Sequence, residues 1–323
     1  MSSADGGPPL AGDTAPLVAA LDFGGTKLAL GLVDRSGRVI DTTVAMRDGR
    51  SPEEVVTWTS AELKVMLDRH GLCMPVVAGL GATVPGYVDR QKRVLEFAPA
   101  HGWRDVRFAE MLEEALSLPS AIENDVNACA LAERRFGCAA GGEDMLWVTV
   151  STGIGGALVL NGELFEGQGA AGEIGHVVVE EGGRVCGCGH RGCLEATAGG
   201  LALGRIAQDQ GLEVSTAKEV FELAAAGNLE AAEIVSQATT AIARAIAFAT
   251  NLLDVPLVVL GGAIGLVLDL DDVRARVTER ILLPPERVPK VSRTALGQNA
   301  ALLGAAVRFL ENGGSGERSD LPR

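Results

Sequence analysis

"LVAALDFGGTKLALGLVD", residues 17–34, reads as an apolar strand, a Gly-Gly-Thr turn and a second apolar strand. The pattern returns in "MLWVTVSTGIGGALVLNG", residues 145–162, with Ser151 at the place that Asp22 holds in the first copy. Two copies of one unit so far apart predict duplicated α/β domains rather than a short-period solenoid. Between and after the copies the chain keeps alternating. "GRVIDTTVAM" (37–46) supplies a third strand, and a helix follows from about Pro52, with Val55, Val56, Leu63, Val65 and Met66 near helical spacing, stopping before Gly71. "VVAGLGATVPG" (76–86) is a buried strand running into a Pro-Gly turn, and "PSAIENDVNACALAERRFG" (119–137) passes from a short strand into a helix beginning around Asp125. A long helix through Ile234, Ala238, Ile242, Ile246 and Ala249 ends before Pro256, "PLVVLGGAIG" (256–265) is a strand feeding a Gly-rich turn, and an Ala/Leu-rich helix runs from Asn299 to Leu310. Apolar strands alternating with helices predict mainly α/β packing.

The totals fit that architecture. At 323 residues the chain can build two packed domains, and 47% hydrophobic with 22% charged content excludes disordered and fibrous classes. A net charge of −14 argues against a broad nucleic-acid or acidic-membrane surface. It leaves room for small anionic ligands, because backbone amides bind them whatever the overall charge. The start carries no cationic-then-apolar signal pattern and no apolar run reaches membrane-spanning length, so the expectation is a cytoplasmic protein without structural disulfides. Residues 1–16 and 312–323 are expected to be a disordered arm and tail. A small domain is expected over 17–123, completed by the C-terminal helix 299–311, and a larger one over 124–298.

Three Gly-rich turns each follow an apolar strand: "DFGGTK" (Asp22–Lys27), "STGIGG" (Ser151–Gly156) and "LGGAIG" (Leu260–Gly265). Glycines let backbone N–H groups approach phosphate oxygens closely. Any one of them alone is a tight turn. None is a G-x-x-x-x-G-K-[ST] loop or a G-x-G-x-x-G fingerprint, but three together, with Asp22 and two threonines among them, point to nucleotide binding. Asn124 and Asp125 sit where a strand gives way to a helix. There Asp125 is either an N-cap or a carboxylate able to take a proton from a substrate hydroxyl. Glu173, His176 and Glu195 add the mixed donors and acceptors that a polyol requires.

Cys186, Cys188 and Cys193 stand in C-x-C-x4-C spacing with His176 ten residues upstream. A C-x-C pair does not easily close on itself, and a redox pair would be C-x-x-C. Three thiols and an imidazole suit tetrahedral zinc with no open position, hence a structural metal in a loop over 176–195. His190 is a rival fourth ligand, cramped by lying inside the loop. Cys73, Cys129 and Cys138 are scattered, as buried small apolar residues would be.

From Leu17 to Leu310 the order of elements and motifs resembles the ROK family (repressor, open reading frame, kinase), whose fold is a duplicated actin/hexokinase-like pair of ribonuclease H-like domains with a cleft between them. The most specific part is "VSTGIGGALVLNGELFEGQGAAGEIGH" (150–176), followed by "CGCGHRGCLE" (186–195); "DFGGTK", "PGYVD" (85–89) and "ENDVNA" fall in the family's order. The resemblance implies that Asp22, Gly24, Gly25, Thr26 and Lys27 lie at the ATP phosphates and Mg²⁺. It implies that Thr152 and Gly153 form a second phosphate turn, and that Gly261 and Gly262 flank the adenosine. Asp125 would be the base acting on a sugar 6-hydroxyl. Asn124, Glu173, His176 and Glu195 would bind the other hydroxyls, with Gly86 and Tyr87 bordering the sugar, and His176, Cys186, Cys188 and Cys193 would hold zinc.

Three positions depart from the family pattern. Ala263 stands for a third glycine in the adenosine turn, Ala100 for the Asn of a Pro-Asn pair, and Gly199 for a Ser four residues after Glu195. Family repressors add a helix-turn-helix segment ahead of the first phosphate turn. Here sixteen Gly/Pro-rich residues precede Leu17, so DNA binding is not expected. The implied activity is ATP-dependent phosphorylation of a hexose, glucose to glucose 6-phosphate first, by a homodimer or homotetramer. The alternatives are a kinase for N-acetylmannosamine, fructose or allose, and a non-catalytic sugar-binding regulator, against which Asp22 and Asp125 both speak.

Overall fold

The computed structural model describes residues 16–98 and 101–313. The expected arm and tail lie outside them, apart from Pro16 and the last two residues of the final helix, and so does Ala100. The described chain divides into two compact units: residues up to Asp125 together with those from Ala305 onward, and Val126–Gly304.

The first unit holds β1 (Leu17–Phe23), β2 (Lys27–Val33), β3 (Val39–Met46), α1 (Pro52–Arg69), β4 (Val77–Val84), β5 (Tyr87–Asp89), β6 (Val94–Ala98), β7 (Trp103–Val106), α2 (Phe108–Leu116) and β8 (Ser120–Asn124). Its main sheet has the order β3-β2-β1-β4-β8, with β1, β4 and β8 parallel to one another and β2 antiparallel to both β1 and β3. Central β1 is buried nearly throughout, as a strand covered on both faces must be, whereas edge strand β3 alternates and exposes Val44 and Met46. α1 starts at a capping box in which Ser51 and Glu54 each bond the other's backbone N–H, with Pro52 at its first position. It buries Val55, Val56, Leu63 and Met66 in a core with Leu21, Leu30, Leu80 and Phe108; Val65, expected on that face, points outward and is 51% exposed. β5, β6 and β7 form a separate small antiparallel sheet.

The second unit follows α3 (Asp125–Phe136) with β9 (Met145–Val150), β10 (Ile154–Leu160), β11 (Glu163–Phe165), α4 (Leu194–Ala198), α5 (Gly200–Asp209), α6 (Ala217–Ala225), α7 (Leu229–Leu253), β12 (Leu257–Gly261), α8 (Gly262–Gly265), α9 (Leu270–Thr278) and β13 (Lys290–Arg293). Its sheet order, β11-β10-β9-β12-β13, repeats the first with the same strand directions. The duplication is therefore topological as well as sequential. The registers correct one detail. The hairpins close on Phe23 opposite Leu28 and on Val150 opposite Ile154, so counting back aligns Asp22 with Thr149 rather than with Ser151. The second turn is one residue shorter, which shifts a match made by eye along the sequence.

The last helix, α10 (Ala300–Gly313), runs beyond the expected Leu310. Its later turns lie hard against β4. A Cβ on Gly79 would enter the Phe309 ring, and one on Gly81 would strike the Ala305 carbonyl. Side-chain-free positions on the strand are what let the helix backbone come this close.

Candidate active site

In each sheet the motif residues gather at the carboxyl ends of the parallel strands, where α/β sheets leave space for ligands. In the first unit Asp22 is the next-to-last residue of β1, opposite Thr83 of β4, and Thr83 Oγ1 donates a 2.7 Å hydrogen bond to its Oδ1. Burial pushes the Asp22 carboxyl above the usual range, while Thr83 pulls the other way. A cation beside it would favour the ionised form. Gly24 N–H donates to the Lys27 carbonyl across the turn at 3.0 Å, and Gly25 and Thr26 are exposed. Lys27 begins β2 with its side chain in solvent.

Asn124 ends β8 and Asp125 opens α3, both half-buried. Asn124 Nδ2 donates to the Gly86 carbonyl at 2.9 Å, so the sequence-expected Gly86–Tyr87 turn and the Asn-Asp pair are neighbours within this unit. Two further residues escaped the sequence reading. Thr83 looked like one more small residue of a buried strand. Arg47, just past the end of β3, places its guanidinium 5.2 Å from the Trp103 ring and donates to the Gly25 carbonyl at 3.2 Å. A cation following an alternating edge strand is the only local signal that could have marked it.

In the second unit the Ser151–Gly153 turn ends β9, and its carbonyls receive the first N–H groups of α5: Gly200 N–H donates to Ser151 O at 2.8 Å and Leu201 N–H to Thr152 O at 3.0 Å. Gly261 and Gly262 follow β12. Gly262 has φ +79°, and a Cβ there would also strike the Val150 carbonyl, so only glycine fits. Beside these turns lies a cavity of about 750 Å³ lined by Thr152, Leu201, Phe221, Ala225, Ala263 and Val267 among others, mostly apolar. Ala263 thus faces the cavity. The walls from α5 and α6 were not foreseen, although exposed Leu201 of α5 is the kind of apolar residue that lines a pocket, as is Val267 after α8.

The same unit gathers the cysteine cluster. His176, Cys186, Cys188 and Cys193 offer four donor atoms all within 4.8 Å of one another. His176 Nδ1 lies 3.6 Å from Cys186 Sγ, and Cys188 Sγ lies 3.6 Å from Cys193 Sγ. Four ligands around zinc, with Zn–S bonds of about 2.3 Å, would stand roughly 3.5–3.8 Å apart, so the donor set fits. Burial pushes the Cys193 thiol up to about 12, while hydrogen bonding from the backbone and ring of His190 draws Cys188 down to about 6. A dication would ionise all three. His190 reaches Cys188 at 3.5 Å but is not part of the mutual set.

The other face of the His176 ring is turned to Glu173, with Nε2 3.9 Å from its carboxylate. Glu195 opens the far end of the loop. Its Oε2 accepts from Ile154 N–H at 3.0 Å and its Oε1 lies 4.0 Å from Cys186 Sγ, so it ties the loop to the start of β10. Gly199 sits between α4 and α5, where its N–H caps onto the Glu195 carbonyl at 3.0 Å. The remaining thiols correct the sequence reading. Cys73 is exposed, whereas Cys129 and Cys138 are half-buried and pack against the apolar core around Met145 and Trp147, so the reading fails for Cys73 and holds in part for the other two. Among the described residues no helix is long and apolar enough to cross a membrane.

A protein-family model described as the ROK family matches residues 18–312. The chain is 33% identical over 261 residues to a glucokinase of Halalkalibacterium halodurans, covering 76% of this chain and 79% of that protein. It is 33% identical over 300 residues to an N-acetylmannosamine kinase of Yersinia pestis, covering 89% of this chain and 96% of that protein. The crystal structure of a ROK hexokinase from Thermus thermophilus matches with a TM-score of 0.77 at 35% identity, covering 92% of this chain and 99% of that one, and shares the actin/hexokinase-like fold.

Proposed function

The chain belongs to the ROK family and is an ATP-dependent sugar kinase, and from that premise we propose that it transfers the γ-phosphoryl group of ATP to the 6-hydroxyl of a hexose, with glucose the first substrate. The relative named glucokinase, at 33% identity, carries this choice of sugar. The equally similar N-acetylmannosamine kinase keeps that sugar as the second reading.

The roles follow residue by residue. Asp125 takes the proton from the 6-hydroxyl as its oxygen attacks phosphorus. Asn124, Glu173, His176 and Glu195 bind the remaining hydroxyls, and the Gly86–Tyr87 backbone borders the ring. Gly24, Gly25, Thr26 and Lys27 receive phosphates in the first unit, and Thr152 and Gly153 form the second phosphate turn. Asp22, already oriented by Thr83, holds Mg²⁺, which neutralises phosphate charge when bound. The apolar cavity beside Gly261 and Gly262 has the size and lining for an adenine ring. Zinc at His176, Cys186, Cys188 and Cys193 is structural, since four protein ligands leave no position for substrate. The enzyme works as a homodimer or homotetramer in the cytoplasm, away from membranes and nucleic acid.

The test is ADP release with ATP and Mg²⁺ across a panel of hexoses. Glucose should give the highest kcat/KM. A higher value for N-acetylmannosamine would transfer the assignment to that sugar. Sugar binding without ADP release for any member would leave a regulator in place of an enzyme.

A further inference from the structure

Arg308 is an arginine in an Ala/Leu-rich helix, a place where a long cation usually reaches solvent. Here its side chain is 4% exposed and that of Glu123 is 1% exposed, and Arg308 Nε meets Glu123 Oε2 at 2.9 Å. Arg90 is the looser second cation, 3.7 Å from the same oxygen and 30% exposed, and Glu311 lies 3.9 Å from Arg308 Nη2. A buried ion pair is a weak source of stability, because desolvation offsets most of the attraction and an apolar pair of similar volume often does as well. Its location is more informative than its strength.

Glu123 is the residue before Asn124 and Asp125, and its other oxygen, Oε1, accepts the Asn124 backbone N–H at 2.9 Å. Asn124 then spends its side-chain amide on the Gly86 carbonyl at 2.9 Å. Gly86 has φ +133°, and a Cβ there would strike the Phe97 carbonyl, so that contact is tightly set on its own side. α10 is equally fixed, pressed onto Gly79 and Gly81 of β4. A rigid helix therefore sets a buried cation against one oxygen of Glu123 as an ion pair, and the other oxygen accepts a backbone N–H at the end of β8.

We infer that Arg308 is a positioning residue for phosphoryl transfer: it fixes the Glu123 carboxylate, which fixes the peptide that aims Asn124 and Asp125. This rests on Asp125 being the base. Without Arg308, Glu123 seeks other partners, the strand end loosens, and the base is aimed less well. A misplacement of about 1 Å can cost on the order of a hundredfold in rate.

The experiment compares Arg308→Met, Arg308→Lys and the paired Glu123→Leu/Arg308→Leu with Asp125→Asn, all at a temperature where near-UV circular dichroism shows native packing. Arg308→Met should lower kcat about tenfold to a hundredfold with the KM for ATP unchanged, and Arg308→Lys should recover part of the loss. Should Arg308→Met not fold, the apolar pair removes both charges at once and should fold with the same loss of kcat. Adding Arg308→Met to Asp125→Asn should cost nothing further, because the arginine acts through the aspartate. A folded Arg308→Met or paired variant with wild-type kcat, or a further full loss on top of Asp125→Asn, overturns the inference while leaving Asp125 as the base. Near-normal kcat in Asp125→Asn alone would overturn both.

Discussion

Among single residues, two acids stand in settings suited to different chemistry. Asp22 is half-buried with one oxygen bonded to Thr83, a setting for a cation, and Asp125 opens a helix next to an amide that is itself anchored on Gly86. Asp125→Asn keeps the shape and an acceptor oxygen but cannot take a proton. Its kcat should fall about 10²- to 10⁴-fold while sugar affinity, read by calorimetry, changes little. Near-normal turnover would remove Asp125 from the role. His176 makes a second residue-scale prediction. With Nδ1 turned to Cys186 and Nε2 turned away from the cluster, a metal on the first nitrogen leaves the second as a fixed N–H donor. His176→Cys keeps a metal ligand and deletes that donor. One lost buried hydrogen bond costs about 1–3 kcal/mol, so the KM for sugar should rise roughly tenfold to a hundredfold. Zinc content is measured on the same sample. A zinc-loaded variant with unchanged KM would show that the histidine serves the metal alone.

Among elements, the loop from His176 to Glu195 makes the clearest prediction. It contains little regular structure, and its ends are tied by His176, Cys193 and the Glu195 bond to Ile154 N–H. A metal holding four of its side chains should therefore supply much of its order. We expect one zinc per chain by elemental analysis, lost in Cys188→Ser/Cys193→Ser, and chelation should lower both Tm and activity. Zinc absent from protein purified without chelator, or unchanged in the double variant, contradicts this. The loop was legible because cysteine spacing is local, and so were β1, β2, β9 and β10, whose apolar runs flank glycine turns. Other elements were not. β5 to β7 are three to five residues long and carry charges such as Glu96, Arg104 and Asp105, which mask their alternation. The cavity wall on α6 depends on which side of an amphipathic helix meets another element, and that is decided by packing. Arg308 was hidden for the same reason. An Arg in the last turns of a helix reads as solvent-exposed until the burial of its partner is known.

For the whole molecule, one topology is used twice and made unequal. Both sheets run 3-2-1-4-5 in their own strand order, yet where the first copy holds Asp22 the second holds Thr149. The first hairpin thus keeps a carboxylate at the place proposed for the cation, while the cysteine cluster and the apolar cavity lie in the second unit. The repeat itself was readable from residues 17–34 and 145–162, but the one-residue difference in turn length was not, because alignment of two turns needs the ladder on either side. A net charge of −14 surrounds this arrangement, so binding of an anionic nucleotide must rest on backbone amides and a bound cation rather than on the overall field. Under the proposed function, phosphate passes from ATP to the 6-hydroxyl of a hexose. Phosphorus-31 nuclear magnetic resonance of a reaction holding ATP, Mg²⁺ and glucose tests it most directly. The expected result is a new phosphomonoester signal split by the two protons on carbon 6, growing as ATP becomes ADP, and no such signal with 6-deoxyglucose. ADP formed without a sugar phosphate, or a phosphate coupled to a different carbon, would contradict it.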